Sequence, residues 1–328
     1  MSDKERNHYL NNVYHHEKLR IMRIGQEYER IHIEDSHEIT ETSPKKLARK
    51  VTNNITKNHR TAWHEKEVHG YVQRKIYDDE NNDMKRTYDW LKQGKMSSHV
   101  EAYLCAIQEE EITTKYLTKS REKDPNIKRT MDSKCRLCKT KDETIFHILG
   151  SCPHLSSSLY LHARHNQVAK VIFEEIISDK DTTKAKRQLP NPQAITKNGS
   201  REIWWDLPVT TPVKVKHNRP DIIFWDNDEK KCIIIDVCVP LDVNLSKQYQ
   251  TKRDNYTPLI SQLQRIYPTY RYSIVPVIVG ALGTIPKIIT EDLKKIGIEK
   301  DKIDSVSKRI QKLALLGSLK IMKTFKSM

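Results

Sequence analysis

Arg219-Pro220-Asp221-Ile222-Ile223-Phe224-Trp225, then Asp226-Asn227-Asp228-Glu229-Lys230-Lys231, then Cys232-Ile233-Ile234-Ile235-Asp236-Val237-Cys238-Val239, is the stretch that decides the fold. Two short runs rich in β-branched residues flank a polar segment, the pattern of an antiparallel hairpin with strands over 221–225 and 232–239. One acid stands on each strand, and pairing lets Asp221 and Asp236 converge. Two close carboxylates repel unless a cation lies between them, and hard oxygen donors with waters suit Mg²⁺. Such an ion activates water and stabilises the charge on a phosphodiester under attack. The plainer alternative makes Asp236 a strand-end residue and Asp221 a turn cap. Against it, Asp236 is enclosed by Ile233-Ile234-Ile235 and Val237-Cys238-Val239, and a buried ionised carboxylate is costly unless it is paired or metal-bound.

Downstream of the hairpin, a helix is expected over about 244–266. It must pack back across the sheet to bury Val243, Leu245 and Leu259. Lys252 and Tyr256 lie four apart on it and so share a face. Lysines on helices are usually solvated, but beside the acids this one suits the orientation of an attacking water, with the Tyr256 hydroxyl on the same phosphate. A third apolar run, 273–280, and two further helices complete an α/β half, α+β when the helical region upstream is included.

Upstream, residues 178–200 are rich in Lys, Thr, Asn and Pro and read as a linker, with strands beginning only after it. A helix-prone stretch covers about 155–177. Before it, Cys135-x2-Cys138-x8-His147-x4-Cys152 offers three thiolates and one imidazole, the ligand set of a closed, structural Zn²⁺ knuckle. His154, His162 and His165 are spare imidazoles, read as surface residues. Residues 118–134 form a basic, polar connector. Further back, Ser98 and Glu101 make a capping box ahead of a stripe of Val100, Tyr103, Leu104 and Ile107. Met84, Tyr88 and Leu91 share a helix face, with Gly94 as its stop. Ile76-Tyr77-Asp78-Asp79 reads as a loop after a helix. In the first 60 residues only 13–30 has helical character.

The charge is uneven. Residues 1–130 carry 25 Lys/Arg and 22 Asp/Glu, whereas residues 131–328 carry 33 and 21, so the net +15 divides as +3 and +12, with most of it in the part that holds the motifs. This points to a polyanionic partner, since phosphate neutralisation dominates nucleic-acid affinity. Three of the six cysteines stand at metal-ligand spacing and no apolar leader precedes them, so a reducing compartment is expected. No run approaches the roughly 18 apolar residues that span a bilayer, and no membrane partner is expected.

Taken in order, the Cys/His knuckle, His217-Asn218-Arg219-Pro220-Asp221, Ile234-Ile235-Asp236-Val237 with Pro240, Lys252-x3-Tyr256, and Ile274-Val275-Pro276-Val277-Ile278-Val279-Gly280-Ala281-Leu282-Gly283 resemble the C-terminal region of site-specific, early-branching non-LTR (LINE-type) retrotransposon polyproteins. Trp90-Leu91 and residues 101–108 are similar, less specifically, to the helical stretch after the reverse transcriptase in those proteins. The resemblance implies a restriction-like PD-(D/E)xK endonuclease that nicks target DNA, so that the freed 3′-hydroxyl primes reverse transcription of the element's RNA in the nucleus. It makes Asp221 and Asp236 the metal-binding acids and Lys252 a lysine displaced from strand to helix. The usual lysine position, two after the second acid, holds Cys238. Where relatives read Glu-Lys-x2-Lys-Tyr, this chain has Thr251, Lys252 and Asn255. The expected organisation is an N-terminal segment at 1–60, poorly structured or partly helical, a helical region at 61–130, the knuckle with its following helix at 131–177, the linker at 178–200 and the endonuclease at 201–328. Reverse transcriptase activity is not expected, and the chain reads as a truncated copy, a fragment or a domesticated remnant. The alternative in another class is a catalytically inactive nucleic-acid-binding remnant.

Overall fold

The computed structural model describes residues 44–65, 70–93, 96–177 and 192–328. The helix expected over 13–30 and the stop at Gly94 lie outside them. The chain divides into two compact units, residues 1–67 and 68–328. In the first, one helix is described, α1 (Pro44–His64). The second unit holds everything else below.

Its centre is a five-stranded mixed sheet of β1 (Ile195–Asn198), β2 (Arg201–Trp205), β3 (Ile222–Asp226), β4 (Lys231–Cys238) and β5 (Arg271–Ile278), in sequence order. The first four are antiparallel neighbours, and β5 runs parallel to β4. The hairpin forms as the sequence suggests, with Ile222 opposite Ile235. Its turn is held by Asp226, whose Oδ1 accepts from the backbone N–H groups of Asp228 (3.1 Å) and Glu229 (3.0 Å). The parallel step to β5 requires a crossover, supplied by α9 (Leu245–Ile266). Pro276 is tolerated because β5 is an edge strand. The sheet begins earlier than expected, at Ile195, since Gly199-Ser200 is a two-residue hairpin turn with Gly199 at φ 58°.

Alternation along β3 and β4 divides the sheet's contacts into two layers. Ile223, Trp225, Cys232 and Ile234 pack against Tyr256, Leu259 and Leu263 of α9. Leu245 is buried as expected, but Val243 is exposed because it falls in the 3-10 turn Asp242–Asn244 that leads into the helix. On the opposite face, Ile222, Phe224, Ile233, Ile235 and Val237 meet α8 (Asn166–Ile177), α10 (Ile289–Lys295) and the first half of α11 (Ile303–Ser327).

The second half of α11 enters another core. Leu315, Leu319, Met322 and Phe325 pack with Val72 and Ile76 of α2 (Tyr71–Asp78), Trp90 of α3 (Met84–Lys92), Leu104 and Ile107 of α4 (Ser98–Gln108), and Ile148 and Leu149 of α7 (Ile145–Gly150). Two short helices, α5 (Lys115–Arg121) and α6 (Pro125–Thr130), occupy the expected connector. Three local expectations change here. The cap position of α4 is Ser97, not Ser98, and no side chain accepts a bond there, so the capping box does not form. The buried residues of α3 are Thr87 and Trp90, while Leu91 is exposed; the face turned inward is one residue away from the expected stripe. Asp78 ends α2 rather than lying in a loop. Among the described residues no helix is long and apolar enough to cross a membrane.

Candidate active site and metal centre

Asp221 stands one residue before β3, and continuing the register from Ile222 and Ile235 sets it opposite Asp236. Asp236 is 2% exposed. Its Oδ1 accepts from the Tyr256 hydroxyl at 2.7 Å, and its Oδ2 lies 2.7 Å from Lys252 Nζ. The i, i+4 spacing on α9 therefore brings both side chains to one carboxylate. Burial, then the charge of Asp221, raises the pKa of Asp236, partly offset by Lys252 and Tyr256. Burial alone would lower Lys252, but the ion pair with Asp236 outweighs it and raises its pKa. Tyr256 is pushed up by burial and then by Asp236 and keeps its proton. Cys238, at the end of β4, is raised to about 11 by burial, so it remains a thiol.

The reading of His165 as a surface imidazole is overturned. Its side chain is 20% exposed, with Nε2 3.1 Å from Asp221 Oδ2 and 2.9 Å from the Val237 carbonyl. Nδ1 lies 3.0 Å from Asn166 Oδ1. Both ring nitrogens thus face acceptors, which the doubly protonated ring satisfies. Burial would lower its pKa, but the hydrogen bond and charge of Asp221, with Asn166 and Val237, lift it to about 9. Asp221 Oδ2 also accepts from Val237 N–H at 2.7 Å. His165 lies 56 residues from Asp221 in sequence, and no spacing rule points to it. His154 and His162 are exposed.

The helix that carries His165 is a π-helix, Ser156–His165. Two of its residues anchor it. Tyr160 OH donates to the Ile148 carbonyl at 2.6 Å and accepts from Cys152 N–H at 3.1 Å. Buried Arg164 donates to the Leu149 carbonyl at 2.9 Å and to Ser318 Oγ at 3.2 Å. Gly317 lets α11 approach, since a Cβ there would lie 2.7 Å from that of Arg164.

Cys135, Cys138, His147 and Cys152 form a second cluster, with all four ligand atoms within 4.8 Å of one another. Cys135 and Cys152 Sγ are 4.0 Å apart, near the roughly 3.8 Å spanned by two thiolates on a tetrahedral ion with metal–sulfur bonds of about 2.3 Å. His147 Nε2 lies 3.2 Å from Cys138 Sγ, and its Nδ1 lies 3.1 Å from Ser151 Oγ, which leaves Nε2 to face the sulfurs. Thr144 caps α7 by accepting from His147 N–H. Glu143, fully buried, braces the turn through Arg136 and Lys115 N–H. These residues form a Cys3His cluster able to bind a metal ion such as zinc.

No protein-family model and no curated protein matches the chain.

Proposed function

We propose that the chain is a Mg²⁺-dependent DNA endonuclease, the nicking module of a non-LTR retrotransposon protein. The observation that carries this reading is the convergence of Asp221, Asp236, Lys252 and Tyr256 at one end of the β3–β4 hairpin. The donor set fits a hard cation. Two carboxylates stand opposite each other, and Asp221 Oδ1 accepts no hydrogen bond among the described residues while its Oδ2 is held by Val237 and His165. Asp221 and Asp236 would hold the ion. When bound, magnesium lowers the pKa of water and offsets the charge gathering on the phosphodiester.

The chain's own groups do the rest. Lys252 is charged at neutral pH, and with 26% of its side chain exposed it can orient a water or hold a phosphate oxygen. Tyr256 fixes the Asp236 carboxylate by donating to Oδ1. Lys214 and Lys216, in the segment before β3, and Lys247 and Arg253, on α9, are exposed and suit a DNA backbone. In this reading the product is a 3′-hydroxyl that primes reverse transcription of the element's RNA in the nucleus. Zinc in the Cys3His cluster is structural, because four protein ligands leave no open position.

The test is nicking of supercoiled plasmid by the full chain in Mg²⁺, with Asp221→Ala as control. Nicking by the wild type alone supports the reading; equal nicking by both proteins contradicts it. A second reading, a nucleic-acid-binding remnant without cleavage, is favoured by one observation. Both Asp236 oxygens already have protein partners. Tight plasmid binding without nicking in Mg²⁺ would select it.

A further inference from the structure

We propose that His165 is the positioning residue of the acidic pair. Its Nε2–H is shared between Asp221 Oδ2 and the Val237 carbonyl, which locks that carboxylate against β4 and leaves Oδ1 as the oxygen available to a cation. The inference rests on the reading of Asp221 and Asp236 as a divalent-cation site, and it concerns a residue on a separate helix. Three observations carry it. Asp221 Oδ2 already receives Val237 N–H at 2.7 Å, so the imidazole completes a two-donor clamp on one oxygen. The ring is itself fixed from behind, Nδ1 facing Asn166 Oδ1 at 3.0 Å. The π-helix ending in His165 is tied at Tyr160 and Arg164 to α7 and Cys152 of the Cys3His cluster. The clamp therefore stands on a braced element rather than on a loop. Partners that orient a ligating carboxylate typically contribute about 10- to 100-fold in metal affinity or activity.

The experiment uses the full chain, zinc-replete, with Mn²⁺ as the probe cation followed by electron paramagnetic resonance, and plasmid nicking in parallel. His165→Ala is expected to weaken Mn²⁺ binding by about 10- to 100-fold and to lower kcat with the KM for plasmid unchanged. His165→Gln, which keeps an N–H donor, is expected to recover part of both losses. A merely structural histidine would move melting temperature and KM, and Gln would rescue neither. If His165→Ala does not fold, Asn166→Ala removes the acceptor behind Nδ1 together with a 3.4 Å contact to exposed His162, with an expected two- to tenfold weakening. Wild-type Mn²⁺ affinity in His165→Ala, or in Asn166→Ala where it stands in, overturns the proposal, as does a Gln variant no better than Ala. Failure of the cation site itself looks different. There, Asp221→Ala binds Mn²⁺ as the wild type does, and both readings fall together.

Discussion

Asp236 is nearly fully buried and carries a raised pKa, so Lys252 and Tyr256 have to stand against it for the ionised form to persist. Removing one member is costly for that reason. Lys252→Ala leaves a buried carboxylate beside Asp221 without its cation. It is expected to abolish nicking while plasmid affinity in a gel shift stays near wild type, because affinity arises from many distributed cations. Nicking at the wild-type rate would remove Lys252 from the site and require another group to orient the water. Tyr256→Phe deletes a single hydroxyl and should cost about 0.5–1.5 kcal/mol in urea unfolding; no measurable change would mean that its 2.7 Å bond to Asp236 contributes nothing. Another close fit is Gly280. A Cβ there would lie 2.1 Å from Asp242 Oδ1, and that carboxylate accepts from Leu282 N–H (2.7 Å) and Thr284 N–H (2.9 Å). Gly280→Ala should therefore destabilise by about 1–3 kcal/mol, and an unchanged urea midpoint would show that the loop shifts without cost.

At the scale of elements, the hairpin and α9 carry the site, and both were legible. Ile222–Asp226 and Lys231–Cys238 are short β-branched runs around a polar turn, and the spacing of Lys252 and Tyr256 is a helical property that survives any packing. What could not be read has physical causes. β1 is an exposed edge strand, so no apolar alternation marks it and its polar residues pass for a linker. The inward face of α3 is formed by Thr87 and Trp90, one of them polar, which hides its stripe. His165 joins the acids only because a ten-residue π-helix meets the sheet at Val237, a tertiary event with no local signature. The Cys3His cluster lies at the other extreme, since its spacing alone announces it. Packing of α9 on the sheet is open to test. Leu259 is fully buried, so Leu259→Ala should cost about 2–5 kcal/mol and should reduce nicking by loosening Lys252. A destabilised variant with reduced nicking per folded molecule would fit this packing; unchanged stability, or wild-type nicking per folded molecule, would contradict it.

In the whole of the second unit, α11 joins two cores. Its first half closes the sheet with α8 and α10, and its second half packs with α2–α4 and the Cys3His cluster. Cutting the chain near residue 130 would expose Leu315, Leu319 and Phe325, so binding and cleavage belong to measurements on the full chain. One zinc per chain is expected by elemental analysis, and less than half an equivalent after metal-replete expression would count against the cluster. Chelation should speed hydrogen exchange in the second half of α11 before it reaches β3 and β4; exchange that rises first in the sheet would contradict the shared core. The positive charge concentrated after residue 130 should make DNA affinity fall steeply with salt. The central claim is that Asp221, Asp236 and Lys252 act as a unit on a phosphodiester. The most direct measurement is the Mg²⁺-dependent nicking rate of supercoiled plasmid by the full chain, its three single Ala variants and the triple variant, with gel-shift affinity on the same preparations. The wild type is expected to nick, each single variant to be nearly as inactive as the triple, and the affinities to lie close to one another. A wild type that binds DNA without nicking it, or single variants whose losses simply add up to that of the triple, would contradict it.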